Sequence, residues 1–133
     1  MHKKKALSEF LGIGTEDTEQ ADHNDSLLRA CGGEYYVLTD EEADELAKEY
    51  IRDTAWAFNA WFILDHIEKD IPEEAIKKIQ ELYEGANEAI IAMIDDFDAF
   101  VDDAIGIDGR GHFLSSYDGA ENEQGEYFIY RIS

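Results

Sequence analysis

The chain has 133 residues and a formal net charge of −21, from 32 acidic and 11 basic residues. A hydrophobic fraction of 44%, with 12% aromatic residues, excludes a disordered chain, because this much apolar surface supports one core at this length. The charge excludes direct binding to nucleic acid and to anionic membranes, and it favours a basic protein as partner.

Neither a disulfide nor a membrane span is expected. Cys31 is the only cysteine, so the chain can form no internal disulfide and no cysteine zinc site. No apolar run approaches the roughly 20 residues that span a bilayer, and no cleavage pattern of small residues follows residues 6–13. We expect a cytoplasmic protein, monomeric or homodimeric, that needs no cofactor and no metal.

The first 33 residues are expected to form an arm that is partly flexible. Residues 4–11 suit a short helix, whereas residues 12–26 are polar, acidic and without hydrophobic period, which is typical of a mobile loop. Ser26 could cap one helical turn over residues 27–30, which the glycines at positions 32 and 33 would end. Residues 34–133 are then expected to form a single domain.

A strand and a helix are predicted next. Residues 34–39 are rich in β-formers and predict a strand. Thr39 and Glu42 match a capping box, in which each side chain binds the other residue's backbone N–H, so a helix begins here. Apolar residues at helical spacing continue it to about His66. This stripe comprises Ala43, Leu46, Ala47, Tyr50, Ile51, Thr54, Phe58, Trp61 and Phe62.

A second apolar stripe predicts a helix over residues 72–105. It comprises Ile76, Ile79, Tyr83, Ala86, Ile90, Met93, Ile94, Phe97, Val101 and Ile105. At 1.5 Å per residue this helix would span about 50 Å, more than the width of a domain of this size, so we expect a bend or break. Gly85 and the Asp95–Asp96 pair are the candidate positions. The short connection over residues 67–71 makes the two helices an antiparallel hairpin.

The C-terminal residues predict a β-hairpin. Residues 113–117 and 127–132 suit two strands around a turn that contains glycine. Together with residues 34–39 they form an antiparallel sheet of about three strands, which the helices can cover on one face. The predicted fold class is therefore α+β, an acidic helical hairpin packed on a small antiparallel sheet.

Eleven carboxylates on the two predicted helices are the candidate partner-binding residues. They are Asp40, Glu41, Asp44, Glu45, Glu49 and Asp53 on the first helix, and Asp95, Asp96, Asp98, Asp102 and Asp103 on the second. Carboxylates one helical turn apart have a spacing of the order found for phosphates along nucleic acid. The alternative is a solvated face that keeps the protein soluble. Like charges at these spacings destabilise a helix, and a purely solubilising face would more often interleave lysine.

The C-terminal residues favour neither calcium binding nor catalysis. Residues 118–126 do not match a calcium loop of the EF-hand type, because Ala120 takes the third position and glycine is absent from the sixth. His112 with Ser115 and Ser116 resembles catalytic equipment, but no nucleophile elbow surrounds them. A structural role is favoured, with Arg110 and His112 pairing with carboxylates and the neighbouring glycines permitting positive φ. No enzymatic activity is expected.

The C-terminal stretch carries a family resemblance. Asp108-Gly-Arg-Gly-His-Phe-Leu-Ser-Ser-Tyr-Asp-Gly119, followed by Tyr127-Phe-Ile-Tyr-Arg131, resembles a family of small, acidic, uncharacterised proteins encoded by bacteriophages and prophages. Residues 34–44 and 56–59 are similar to that group too. The resemblance implies a phage setting, in which small acidic proteins often inhibit restriction or CRISPR machinery by mimicking DNA. It supplies no catalytic residues.

The sequence as a whole predicts a phage-type inhibitor. Its partner would be a basic nucleic-acid-binding protein of the host, engaged in defence or DNA processing, whose nucleic-acid channel the carboxylates occupy by charge mimicry. One alternative is a non-catalytic binding module that uses Trp56, Trp61 and Ile63 as an aromatic anchor. Another is a small hydrolase centred on His112.

Overall fold

The computed structural model describes residues 2–21 and 23–133. In chain order the helices are α1 (His2–Leu11), α2 (Asp40–Asp53), α3 (Ala60–Leu64), α4 (Glu73–Gln80), α5 (Asn87–Met93), α6 (Phe97–Asp108) and α7 (Arg110–Leu114). The strands are β1 (Glu19–Ala21), β2 (Asn24–Ala30), β3 (Gly33–Leu38), β4 (Asn122–Gln124) and β5 (Tyr127–Arg131). These elements confirm the predicted α+β class.

The chain divides into two compact units. One comprises Met1–Ala47 together with Asp108–Ser133, and the other comprises Lys48–Ile107. All five strands belong to the first unit, and residue 33, the predicted end of the arm, lies within it.

The sheet is antiparallel throughout, with strand order β1-β2-β3-β5-β4. A two-residue turn joins β2 to β3, and Cys31 and Gly32 both have positive φ, 52° and 76°. Paired positive φ values are the mark of the type I′ turn, whose twist matches that of the strands it connects. The predicted sheet had about three strands, so the strand number was too small.

Helix α1 covers one face of this sheet, whereas the sequence predicted that the helices of the hairpin would do so. Ala6 and Leu7 of α1 share a buried cluster with five strand residues, Leu28, Ala30, Tyr35, Val37 and Ile129. Leu7, Val37 and Ile129 are fully buried. The N-terminal helix that the sequence predicted as part of an arm is therefore a core element.

The prediction of an irregular segment over residues 12–26 is wrong in its second half, where β1 and the start of β2 lie. Residue 22, within this range, lies outside the described residues. The prediction of a helical turn over residues 27–30 is wrong, because these residues belong to β2. Alternate residues Ser26, Leu28 and Ala30 of β2 are buried, which is the period of a half-buried strand. The local sequence has few β-formers, so pairing with β3 and burial under α1 decide its conformation.

The capping box is confirmed. Thr39 N donates to Glu42 Oε1 at 2.9 Å, and Glu42 N donates to Thr39 Oγ1 at 3.2 Å. However, a continuous helix to His66 is wrong, because α2 ends at Asp53 and α3 begins at Ala60. Between them lies a 3-10 turn, Ala55–Ala57. Thr54 Oγ1 donates to the Tyr50 carbonyl at 2.7 Å, a side-chain bond that competes with the helical ladder.

The predicted break in the second helix is confirmed at both candidate positions. Gly85 lies in a 3-10 turn, Tyr83–Ala86, between α4 and α5. Asp95 and Asp96 lie between α5 and α6, where Ile94 is extended and Asp96 Oδ1 accepts the N–H of Ala99 at 3.2 Å. The predicted hairpin of two long helices is therefore replaced by shorter helices joined by turns.

The prediction of a strand over residues 113–117 is wrong. Residues 113 and 114 belong to α7, which begins directly after Gly109. Gly109 itself has a φ of 83°. Gly111 packs so closely that a Cβ would lie 2.4 Å from the Gly119 carbonyl oxygen. The C-terminal hairpin exists, but β4 and β5 form it around Gly125, whose φ is 61°.

Candidate functional site

The six predicted carboxylates of α2 are all exposed. Four of them, Glu41, Glu45, Glu49 and Asp53, follow one another at four-residue steps, which places them about 6 Å apart along the helix axis. Within residues 2–21 and 23–133, none of these four side chains forms an ion pair or accepts a hydrogen bond. We call them the α2 row.

The charge density of α2 is close to that of a nucleic-acid strand. Its 14 residues carry seven acids and two bases, a net charge of −5. At 1.5 Å per residue the helix is about 21 Å long, or one net charge per ~4.2 Å. One strand of DNA carries one charge per ~3.4 Å. Counted from its own residues alone, the helix therefore has about four-fifths of the charge density of one strand, and Arg110 and Lys3 from outside the helix pair with three of its acids.

The other two carboxylates, Asp40 and Asp44, are engaged by Arg110. Arg110 Nη1 lies 2.8 Å from Asp40 Oδ1 and 3.0 Å from Asp44 Oδ1, and its Nε lies 2.8 Å from Glu121 Oε1. The guanidinium also lies 4.7 Å from the centroid of the Phe128 ring. Its side chain is only 10% exposed, so these carboxylates anchor a nearly buried cation.

The pKa values in this cluster are perturbed as such packing requires. Burial alone would lower the pKa of Arg110, but hydrogen bonds to Glu121 and Asp40 outweigh burial and raise it. Burial, together with a very short hydrogen bond to Glu121, raises the pKa of Tyr130 well above its ordinary range. Arg110 therefore stays charged and Tyr130 stays a neutral donor.

This cluster decides what the Gly109–His112 loop does. The expectation that Arg110 pairs with carboxylates is confirmed, and Gly109 uses positive φ as expected. The same expectation for His112 is wrong, because in the described part of the chain this exposed side chain forms no ion pair and instead meets the Phe113 ring edge-on.

The five carboxylates predicted within residues 95–103 are exposed too, but they differ in what they bind. Asp95 Oδ2 accepts the backbone N–H of Glu68 at 2.5 Å, and Asp96 caps the start of α6. Both side chains therefore stabilise the loop and helix end that the break creates.

Within α6 itself, Asp98 lies 2.5 Å from Lys48 Nζ and Asp103 Oδ2 lies 3.1 Å from His66 Nε2. Asp102 forms no ion pair within the described ranges. Of the eleven candidates, the α2 row and Asp102 therefore have carboxylates without a partner among residues 2–21 and 23–133, whereas the other six have structural bonds.

Ser115 and Ser116, which the hydrolase alternative would use with His112, are hydrogen-bonded to the backbone. Ser115 is 3% exposed, and its Oγ lies 2.6 Å from the Arg131 carbonyl oxygen and 2.8 Å from Asp118 Oδ1. Ser116 Oγ donates to the Ile132 carbonyl at 2.8 Å. No hydrogen bond joins either serine to His112 in the portion that the structure describes.

The three residues of the alternative aromatic anchor differ in how far they are buried. Ile63 is fully buried, Trp56 is half-buried and Trp61 is 53% exposed. Sequence reasoning also missed several other exposed apolar residues, among them Leu82 at 66% and Tyr83 at 71%. Tyr83 belongs to the second apolar stripe, which predicted burial. The only sign of its exposure in the sequence was its position two residues before Gly85, a candidate break in the helix.

Metal ligation and membrane crossing find no support in the described ranges. Residues 2–21 and 23–133 contain no group of three or more His, Cys, Asp or Glu side chains that could hold a metal ion. None of their helices combines the length and hydrophobicity that crossing a bilayer requires. Comparisons with protein-family models, with curated proteins and with solved structures find no match to the chain.

Proposed function

We propose that the protein inhibits a basic nucleic-acid-binding protein by presenting the α2 row in place of backbone phosphates. The observation that carries this proposal is the run of four exposed carboxylates on α2 for which the described residues supply no ion pair and no hydrogen bond. The residues of this helix have a charge density close to that of one DNA strand. Asp102, on α6, is a further exposed carboxylate that forms no ion pair within the described residues. The partner's Lys and Arg side chains, which otherwise contact phosphates, pair with these carboxylates.

The row has a cost that a merely solubilising face would avoid. Successive members of the row are i,i+4 neighbours of like charge, and each such pair destabilises a helix by roughly 0.2–0.5 kcal/mol. Lys48 and Arg52 lie on the same helix, so basic residues are compatible with it at other positions. Four uninterrupted acids at one spacing are therefore better explained by recognition.

The phage resemblance of the C-terminal stretch fits this proposal. A phage benefits from blocking host restriction, CRISPR or DNA-processing proteins, all of which have basic channels for nucleic acid. We place the partner in this class, and we expect no catalytic step and no cofactor in the inhibition.

The test begins with capture of partners from host lysate at low salt, followed by elution in a rising salt gradient and mass spectrometry. A purified nuclease or helicase from the eluate is then titrated with the wild type and with a row variant. That variant carries Glu41→Gln, Glu45→Gln, Glu49→Gln and Asp53→Asn.

Exposed ion pairs contribute about 0.2–1 kcal/mol each, so losing four should weaken binding roughly 4- to 900-fold and flatten its salt dependence. A control variant removes the same charge elsewhere, through Glu16→Gln, Asp17→Asn, Glu19→Gln and Glu123→Gln, all at exposed positions. If the two variants bind equally well, net charge alone acts and the proposal is wrong.

A further inference from the structure

The turn between α4 and α5 is fixed by two side-chain amides, one at each end. Gln80 Nε2 donates to the carbonyl oxygens of Trp56 at 2.8 Å and Phe58 at 2.7 Å. Asn87 Oδ1 accepts from Trp56 N at 3.1 Å, and Asn87 Nδ2 donates to the Arg52 carbonyl at 2.8 Å. Four hydrogen bonds therefore hold this turn against the last turn of α2 and the segment that follows it.

The fixed turn presents apolar side chains to solvent. Leu82 and Tyr83 are 66% and 71% exposed, and the Tyr83 ring meets half-buried Trp56 edge-on at 6.1 Å. Tyr83 has a φ of 52°, a left-handed conformation that is unfavourable for a bulky residue. Such conformations persist where the surroundings impose them, and they cluster at ligand-binding sites.

The surroundings of these residues are acidic. Residues 79–109 contain nine acids and no lysine, arginine or histidine. Glu81, Glu84 and Glu88 flank the turn and are exposed, and Lys78 is the nearest base along the chain, 3.8 Å from Glu81. A surface of this kind is complementary to an apolar pocket with a basic rim.

We propose that Leu82, Tyr83 and Trp56 form an apolar anchor that inserts into an apolar pocket on a basic protein partner. The lysines and arginines at the rim of the pocket face Glu81, Glu84 and Glu88. This inference rests on the proposed function, because the basic protein is the one that α2 engages. A second copy of the chain would bring the same acidic stretch to the contact and be repelled.

The anchor and the α2 row have different roles in binding. Exposed charge pairs speed association and are screened by salt, whereas buried aromatic anchors slow dissociation and resist salt. Tyrosine and tryptophan are the side chains that most often dominate an interface. The anchor therefore supplies affinity at physiological salt and selects one basic protein among many.

Photo-crosslinking tests the position of the anchor. A benzophenone amino acid replaces Leu82 in one variant and Ile107 in the control, because both side chains are 66% exposed and both lie in the acidic stretch. A basic protein should crosslink through position 82 and not through position 107, at apolar residues bordered by lysine or arginine. An adduct with an acidic or neutral protein, an adduct with a second copy, or no adduct would overturn the inference.

Affinity measurements with the crosslinked partner, purified in free form, complete the test. Tyr83→Ala should weaken binding by about 10- to 100-fold, a typical loss for a central aromatic, and by the same factor at low and high salt. Leu82→Ala is the second variant, since Leu82 has an ordinary φ of −80°, and Ile107→Ala is the control. Unchanged affinity in both anchor variants refutes the anchor. An unchanged salt slope in the row variant would instead refute the proposed function and leave the Tyr83 result standing.

Discussion

Replacing Arg110 by methionine should destabilise the unit that contains the sheet by about 2–6 kcal/mol. Methionine keeps an apolar stem of similar length against Phe128 but removes the charge that Asp40, Asp44 and Glu121 share. The substitution leaves three carboxylates facing one another without a cation.

The magnitude follows from the exposure of each partner. Glu121 is 33% exposed, and a hydrogen bond to a charged group in such a site contributes roughly 1.5–3 kcal/mol. Asp40 and Asp44 are 70% and 60% exposed, so their pairs are screened and contribute about 0.2–1 kcal/mol each. The contact with the Phe128 ring adds roughly 0.5–1 kcal/mol.

Urea unfolding followed by far-UV circular dichroism measures the loss. Arg29→Met is the matched control, because Arg29 pairs with Glu34 at 3.5 Å while 49% exposed, and its loss should stay below about 0.5 kcal/mol. Arg110→Lys should fall between the two, since lysine keeps the charge but lacks the planar fork. If Arg110→Met costs no more than Arg29→Met, the assignment of Arg110 as the central cation of this cluster is wrong.

Three further outcomes are expected in the same unfolding assay. Gly111→Ala should cost about 1–3 kcal/mol, because its Cβ would lie 2.4 Å from the Gly119 carbonyl oxygen; an unchanged midpoint would show that the loop yields easily. Thr39→Ala should cost about 1 kcal/mol through loss of the capping box, and a variant as stable as the wild type would contradict this. Burial would raise the pKa of Glu42, but its hydrogen bonds outweigh burial and lower it below 4.5. The stabilisation by Glu42 is therefore present above that pH and lost as the pH falls through the lower folded value, so the wild type and Glu42→Gln should converge in acid. A difference that stays constant with pH would refute this.

Local rules were sufficient where neighbouring residues satisfy one another. The capping box needs only Thr39 and Glu42, three residues apart, so the start of α2 was predicted correctly. The breaks at Gly85 and at Asp95–Asp96 followed from a helix too long for the domain and from residues that favour turns. The exposure of all eleven predicted carboxylates follows from charge, because unpaired carboxylates are rarely buried.

Local rules failed where a distant residue forms the bond. The end of α2 depends on Asn87, which binds the Arg52 carbonyl and the Trp56 N–H, and on Gln80, which binds the Trp56 carbonyl. The exposure of Tyr83 depends on the same contacts, since its position on the apolar stripe predicted burial.

The sequence by itself determined the α+β class, the start of α2 and the acidic surface, because hydrophobic period, capping and charge act over a few residues or over the whole composition. Tertiary structure alone decided which carboxylates are paired within the part of the chain that the structure describes. Arg110 is 66 residues from Asp44 in the chain and Lys48 is 50 residues from Asp98, so only folding brings those cations to some acids and leaves the α2 row without them. Pairing partners so far apart in the chain leave no periodic signal, so the sequence could not show that six of the eleven candidates have structural bonds.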